Sequence, residues 1–177
     1  MARDAEDLVS TLSLTALPSN RSHFTELWAF CEEVLSVCAS LGVAPVMNAS
    51  LAVLAYTGCA DLEVHDVDLS CPEADFERIV AAFDGSDVEC QVQEWHVLEL
   101  HRGELKVEFD AAEVWMQGVD RPRSELVHGA ARVLVVSRED LATLYERGVA
   151  GNADRDDVAG RARREDLAWK LELVRSG

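Results

Sequence analysis

The sequence predicts an α+β fold of mixed α/β type, in which helices flank a mixed central sheet. Two patterns support this prediction. Apolar residues recur at three- and four-residue spacing in some segments and alternate in others, and the two kinds of segment are interleaved. The 177 residues, 49% of them hydrophobic, are enough for one globular core. We expect residues 1–20 to form a flexible lead and residues 21–177 to form a single domain.

The first part of this domain predicts helix, strand and helix. Apolar spacing from Phe24 to Leu41 is typical of an amphipathic helix, and Gly42 is its expected end. A short strand follows around Pro45–Met47. The polar turn Asn48-Ala49-Ser50 then begins a short apolar helix, which its own polar side chains are able to cap. Gly58 is the expected end of that helix.

The middle of the chain predicts strands. Val64–Ser70 has the composition of a strand, and Pro72 suits the first turn of a helix. The segments CQVQEWHVLELHR and GELKVEFD (residues 90–110) predict a hairpin that turns at Arg102-Gly103. Residues 111–129 are expected to be mostly loop.

The last part of the chain predicts one strand and two helices. ARVLVV (residues 131–136) has strand composition. Ser137 with Asp140 three residues later resembles a capping box, and Gly148 is the expected end of the helix that it begins. A charged helix is predicted from about Asp156, and its apolar residues lie at one seam: Leu167, Leu171 and Val174.

Charge and cysteine content limit the function classes. The net charge of −17 disfavours broad binding to DNA or RNA, because phosphate backbones are repelled. No apolar run approaches the roughly 20 residues that a membrane span requires, and the first residues lack the pattern of a secretory signal. The five cysteines form no C-x-x-C pair, and Cys31 and Cys38 are expected to be core residues. A cytoplasmic location fits these features.

Two acidic segments carry the candidate chemistry. Side chains alternate along a strand, so Asp66 and Asp68 share one face of their strand. By the same rule, one face of the strand LKVEFD carries Lys106, Glu108 and Asp110. If the two strands are neighbours, their carboxylates converge, and such hard oxygen ligands suit Mg²⁺. The alternative is that both segments are solvated strand ends.

These motifs resemble the nucleotidyltransferase fold of the DNA polymerase beta superfamily, and in particular small bacterial aminoglycoside, lincosamide and abortive-infection-type members. The residues that carry the resemblance are Asn48-Ala49-Ser50, Asp66-Val67-Asp68-Leu69 and Val107-Glu108-Phe109-Asp110. The resemblance spans about residues 24–170. It implies Mg²⁺-dependent transfer of a nucleoside monophosphate from an NTP to an acceptor hydroxyl.

The resemblance also implies roles for individual residues. Metal ligation would fall to Asp66, Asp68 and Asp110. Either Glu108 or Asp110 would be the third acid, and strand parity does not choose between them. Three further residues would bind the nucleotide: Asn48, Ser50 and Lys106.

Two departures from the family pattern leave alternatives open. The turn has Asn48-Ala49-Ser50 where the family usually has Gly-Gly or Gly-Ser, and Leu62 stands where many relatives have arginine. A catalytically inactive binding or regulatory module is therefore the main alternative, and a metal phosphohydrolase is a weaker one. For an enzyme, the acidic charge favours a small-molecule acceptor, cationic ones above all, or a protein acceptor. A polymeric nucleic acid or a membrane is not expected as partner.

Two other groups of residues have competing interpretations. Each of the four tryptophans is expected to pack in the interior, although Trp115 follows the acidic strand and is placed to stack on a base or acceptor. The arginines at 161, 163 and 164 are expected to be a solvated helix face, with phosphate binding as the alternative.

Overall fold

The central feature of the computed structural model is an eight-stranded mixed sheet with strand order β1-β7-β8-β2-β3-β6-β5-β4. The structure describes residues 10–119, 122 and 124–176. In chain order, the strands are β1 (Ser10–Leu12), β2 (Val46–Met47), β3 (Val67–Cys71), β4 (Glu89–Gln93), β5 (Val97–Arg102), β6 (Leu105–Ala111), β7 (Ser124–His128) and β8 (Ala131–Val135).

Helices pack on this sheet in two groups. They are α1 (Arg21–Ser40), α2 (Ala49–Thr57), α3 (Phe76–Ala82), α4 (Ala112–Trp115), α5 (Arg138–Gly151) and α6 (Val158–Ser176), with a 3-10 turn at Glu73–Asp75 before α3. Helices α2, α5 and α6 contact one another, while α1 contacts β6, β8 and α3. The predicted α+β class, a mixed sheet flanked by helices, is confirmed.

The long helices follow the predicted patterns closely. Helix α1 ends before Gly42, which has a left-handed φ of +70°, and α2 ends at Gly58 with φ of +61°. Ser137 caps α5 by accepting a hydrogen bond from the Asp140 backbone N–H at 3.1 Å. Asn48 precedes α2 but makes no capping hydrogen bond. Of the two polar residues predicted as able to cap this helix, Asn48 or Ser50, Asn48 occupies the cap position without making the capping hydrogen bond.

Strand β3 begins at Val67, three residues later than predicted. The reason lies in Asn20, whose side-chain amide donates to the Val64 carbonyl at 2.8 Å and accepts from the Val64 N–H at 3.1 Å. Both backbone groups of Val64 are thus bonded outside the sheet. Asp66 consequently lies just before the strand rather than within it.

Three further boundaries differ from the prediction. The range 111–129, predicted as loop, contains α4 and the strand β7, which pairs with β8. The strand predicted over residues 90–102 is two strands, β4 and β5, which pair with each other. Helix α5 continues through Gly148 to Gly151. Gly148 permits close packing instead, because a Cβ there would meet Leu167 Cδ1 at 3.3 Å.

The predicted lead over residues 1–20 falls only partly within the structure. Residues 1–9 lie outside the described residues. Ser10–Leu12 forms the edge strand β1, parallel to β7, and the Ser10 and Ser124 hydroxyl groups are 2.8 Å apart. The sequence did not indicate this strand.

One hydrophobic core joins the sheet to its helices. Cys31 and Cys38 are fully buried in it, as predicted. Leu167 and Val174 of α6 are buried, and Leu171 packs against them at the edge of the core. Among the described residues, no helix combines the length and apolar character that a membrane crossing requires.

Candidate functional site

The two acid-bearing strands are adjacent. Strands β3 and β6 pair in parallel, with Asp68 opposite Glu108 and Ser70 opposite Asp110. Because the side chains of paired residues point to the same face, the carboxylates of the two strands lie together. The register thus brings the acidic segments into one site.

Three of the predicted acids form a compact cluster. Asp66, Asp68 and Glu108 each place one carboxylate oxygen within 4.8 Å of the other two. Asp110, which was predicted as a metal ligand, is not a member of this group. The geometry therefore favours Glu108 over Asp110 as the third ligand. Three hard oxygen donors at this separation are a donor set that suits Mg²⁺.

Lys106 lies against the same cluster. Its Nζ is 3.1 Å from Oδ2 of Asp66 and 2.8 Å from Oε1 of Glu108. The ammonium group thus bridges the two acids that flank Asp68. The chain itself supplies a positive charge at the point where the carboxylates converge.

Burial and mutual repulsion disturb the ionisation of the two inner acids. Burial is the main cause that raises the pKa of Asp68 well above its ordinary value, and the neighbouring carboxyl groups add to it. Burial and the charge of Glu108 raise the pKa of Asp110 to about 6, against the opposing effect of the Asn48 side chain. Without a bound cation, the protein therefore supplies too little positive charge to balance the negative charge of these two carboxylates when they are ionised.

The turn before α2 has an unusual backbone. Ala49 has a φ of +52°, in the left-handed region that glycine adopts most easily. The turn therefore adopts a conformation suited to the glycine that the family pattern has there, although the chain has alanine. Helix α2 starts here, and the N–H groups of its first turn have no acceptor within the helix.

Asn48 adds a buried hydrogen-bond donor to this turn. The residue is 6% exposed, and its buried Nδ2 makes no hydrogen bond of normal geometry, although the Asn48 side chain is close enough to Asp110 to oppose the rise in the pKa of that carboxyl group. It lines the same cleft as the acidic cluster. A buried amide without a well-formed hydrogen bond is costly, so this donor is suited to a ligand oxygen.

A cleft of about 600 Å³ connects these groups. Among the residues that line it, seven were predicted as site residues: Asn48, Ser50, Asp66, Asp68, Lys106, Glu108 and Asp110. Its remaining wall comes from α5, α6 and the segments around Trp95 and Trp115. The structure thus gathers every predicted site residue around one cavity.

Helix α6 contributes two cations, Arg163 and Lys170, of which the sequence indicated only Arg163, as one of three arginines with phosphate binding as the alternative. Arg163 and Lys170 line the cleft, and both face Asp166, at 4.0 Å and 2.8 Å. Lys170 is only 9% exposed. Spacings of three and four residues place these three side chains on one face of the helix, and this spacing was the signal available in the sequence.

The other two arginines of α6 serve local structure. Arg164 donates to the carbonyl oxygens of Asn152 and Ala153, both at 2.8 Å, at the end of α5. Arg161 donates to the carbonyl oxygen of Asp156. Only Arg163 of the three predicted arginines lines the cleft among the described residues.

Two tryptophans also line the cleft. Trp95 is 54% exposed and Trp115 is 45% exposed, and the indole N–H of Trp115 donates to the Trp95 carbonyl oxygen at 3.0 Å. Trp169 is also exposed, whereas Trp28 is buried. The expectation of interior packing is therefore wrong for three of the four tryptophans.

Comparisons with known proteins detect the fold but not a close relative. No protein-family model matches the sequence, and no curated protein matches it significantly. Solved structures do match. The antibiotic-resistance factor ANT(2'')-Ia has a TM-score of 0.59 at 15% identity, over 87% of this chain and 91% of that one.

Two other solved structures agree with this match. An antigenic nucleotidyltransferase-like protein from Paracoccidioides brasiliensis has a TM-score of 0.59 at 15% identity, over 85% of this chain and 75% of that one. The lincomycin-bound lincosamide antibiotic adenylyltransferase LnuA has a TM-score of 0.51 at 10% identity, over 85% of this chain and 96% of that one. The chain therefore has the nucleotidyltransferase fold that its sequence motifs predicted.

Proposed function

We propose that this protein is a Mg²⁺-dependent nucleotidyltransferase that transfers a nucleoside monophosphate from an NTP to a hydroxyl group of a small-molecule or protein acceptor. One observation carries the proposal: the carboxylates of Asp66, Asp68 and Glu108 meet within 4.8 Å in a cleft that also contains the start of α2. The names of two structural neighbours, a nucleotidyltransferase-like protein and an adenylyltransferase, support the same reaction class.

The reaction requires a balanced exchange at the α-phosphorus. The acceptor oxygen forms a bond to this phosphorus, and the bond from the phosphorus to the bridging oxygen of the β-phosphate breaks. Pyrophosphate leaves, and the hydroxyl proton passes to a carboxylate. Mg²⁺ bound by Asp66, Asp68 and Glu108 would neutralise the phosphate charge and polarise the α-phosphate.

The residues at the start of α2 would position the triphosphate. The first-turn N–H groups and the buried Nδ2 of Asn48, which makes no hydrogen bond of normal geometry, would provide donors for phosphate oxygens. Ser50 lies beside them on the cleft wall. Arg163 and Lys170 add positive charge from α6, which offsets the absence of an arginine at Leu62.

Asp110 is placed to accept the hydroxyl proton. It follows Glu108 on the same face of β6 and lines the cleft, but it lies outside the metal-binding group. A carboxylate adjacent to the metal ligands and free of the metal is the arrangement that a general base requires. Under this assignment, Glu108 is the metal ligand and Asp110 is the general base, two roles between which strand parity did not choose.

The acceptor would lie between the acids and the tryptophans. Trp95 and Trp115 offer flat apolar surface at one end of the cleft, and the net charge of −17 favours a cationic compound. A small amine-bearing molecule with a flat ring meets both conditions. A protein acceptor remains within the proposal, whereas a polymeric nucleic acid does not.

A catalytically inactive binding module is the second candidate. Two observations favour it: Lys106 pairs with two of the three clustered acids, and Ala49 holds a conformation that glycine would adopt at less cost. Such a module would bind a nucleotide or partner without needing a metal.

Nucleotide titration separates the two candidates. Binding of a non-hydrolysable NTP is measured by calorimetry with Mg²⁺ and with EDTA, for the wild type and for the double variant Asp66→Asn/Asp68→Asn. If the protein is an enzyme, the wild type is expected to bind the NTP more tightly with Mg²⁺ than with EDTA. The double variant is expected to bind the NTP with the same affinity in both conditions. Equal affinity in all four conditions would contradict the enzymatic proposal.

A further inference from the structure

The ammonium group of Lys106 contacts two of the three acids that would hold a divalent ion. Its Nζ lies 3.1 Å from Asp66 Oδ2 and 2.8 Å from Glu108 Oε1, and both residues belong to the three-acid cluster. A metal bound by the same oxygens would lie at about 2.1 Å from each. The two cations therefore require the same two carboxylate groups.

The pairing in the sheet explains why Lys106 turns toward these acids. Across the β5–β6 hairpin, Lys106 lies opposite His101 and Glu108 lies opposite Glu99. Glu99 already accepts from Gln93 at 2.9 Å and lies 3.3 Å from His101 Nε2. Within the part of the chain that the structure describes, Asp66 and Glu108 form ion pairs with Lys106 alone, and they hold its ammonium group.

We propose that Lys106 is an internal counter-cation that competes with a divalent ion for Asp66 and Glu108, so that the cluster binds a free divalent ion weakly. This inference rests on the proposed function, because it concerns the same metal site. The Lys106 side chain is 29% exposed, and its flexible stem allows the ammonium group to leave the cluster toward the cleft. A metal that arrives with a nucleotide would displace it, and the freed charge would remain beside the phosphates.

The test measures binding of Mn²⁺, as a substitute for Mg²⁺, without nucleotide. The electron paramagnetic resonance signal of free Mn²⁺ gives the Kd for the wild type and for Lys106→Gln. Removal of the competing charge is expected to tighten Mn²⁺ binding by about tenfold. Addition of Asp66→Asn to Lys106→Gln is expected to abolish this gain, because it removes a shared ligand.

Two control variants separate competition from a general charge effect. Arg132→Gln removes one positive charge from an exposed pair with Glu125, and it is expected to leave Mn²⁺ affinity unchanged. Lys106→Arg keeps a cation at the cluster and is expected to bind Mn²⁺ as weakly as the wild type. Circular dichroism confirms that each variant is folded.

The outcomes distinguish this inference from the proposed function. If Lys106→Gln binds Mn²⁺ no more tightly than Arg132→Gln, Lys106 is not a competitor and the inference is wrong. The proposed function would still stand if Mn²⁺ binding with a non-hydrolysable NTP depends on Asp66 and Asp68. If no variant binds Mn²⁺ with or without nucleotide, both proposals fail.

Discussion

The backbone N–H of Asn48 donates a hydrogen bond to the carbonyl oxygen of Asp68 at 3.0 Å. This contact joins the turn before α2 to the strand that carries a central acid. The proposed phosphate-binding turn and the proposed metal ligands are thus fixed relative to each other by the backbone. Substitutions that preserve this hydrogen bond test individual side chains of the site while the backbone that holds the site stays in place.

Ala49→Gly is expected to cost no stability. Ala49 has a left-handed φ of +52°, which costs an alanine on the order of 1 kcal/mol or more, and glycine avoids that cost. The greater entropy of glycine in the unfolded chain offsets part of this gain. The free energy of unfolding in urea should therefore remain equal or rise by up to about 1 kcal/mol.

Ala52→Gly is the matched control in the same helix. Ala52 is fully buried in the interior of α2, where glycine usually costs about 1 kcal/mol. The two variants are expected to differ clearly in urea. An equal loss in both would mean that the backbone at Ala49 is not strained.

Asp68→Asn is expected to stabilise the metal-free protein while it abolishes Mg²⁺-dependent nucleotide binding. Burial raises the pKa of Asp68 well above its ordinary value of 3.8, so the folded state holds this proton more tightly than the unfolded state. Stability is therefore lost as pH rises above about 4 until the folded pKa is passed. Asparagine removes this cost.

The measurement is urea unfolding in EDTA at several pH values. The stability advantage of Asp68→Asn should be small at pH 4 and grow to about 1 kcal/mol or more at pH 8. An advantage that does not vary with pH would show that ionisation of Asp68 carries no folding cost.

Arg102→Gln is expected to lower the free energy of unfolding by about 1–2 kcal/mol. The guanidinium group donates two hydrogen bonds to Glu33, at 2.7 and 2.9 Å, and one to Asp87 at 2.9 Å. It also lies 4.8 Å from the ring centroid of Phe30. One side chain thus ties the β5–β6 hairpin to α1.

Arg132→Gln is the control for this charge change. Arg132 makes one exposed pair with Glu125 at 3.2 Å, and such pairs contribute little. Arg132→Gln should therefore lower the free energy of unfolding by less than about 0.5 kcal/mol in the same urea experiment. Similar losses in the two variants would contradict the structural role of Arg102.

Trp115→Ala and Trp95→Ala test which ligand the tryptophan wall contacts. If the wall binds the acceptor, each variant should leave the Kd of a non-hydrolysable NTP within about twofold and raise the KM of an acceptor by about tenfold or more. Calorimetry gives the first value, and initial rates with an active acceptor give the second. A weakened NTP affinity would instead assign the wall to the nucleotide base.

The sequence by itself determined the fold class, most helix positions and seven residues of the candidate site. Apolar spacing and turn residues act locally, so α1, α2 and the cap at Ser137 were predictable. Strand parity placed Glu108 with Asp110 on one face of β6, whereas Asp66, predicted by the same rule to share a face with Asp68, lies just before β3. The short motifs shared with nucleotidyltransferases then predicted the fold that the structure has.

Only the tertiary structure decided how these pieces meet. Strand β1 was missed because its partner, β7, lies 114 residues away in the chain. Strand β7 was missed although it forms a hairpin with the adjacent β8. The choice of Glu108 over Asp110 for the acidic cluster, and the place of Lys106 between Asp66 and Glu108, follow from sheet register and side-chain reach. Such contacts arise between residues far apart in sequence, and no local pattern encodes their distances.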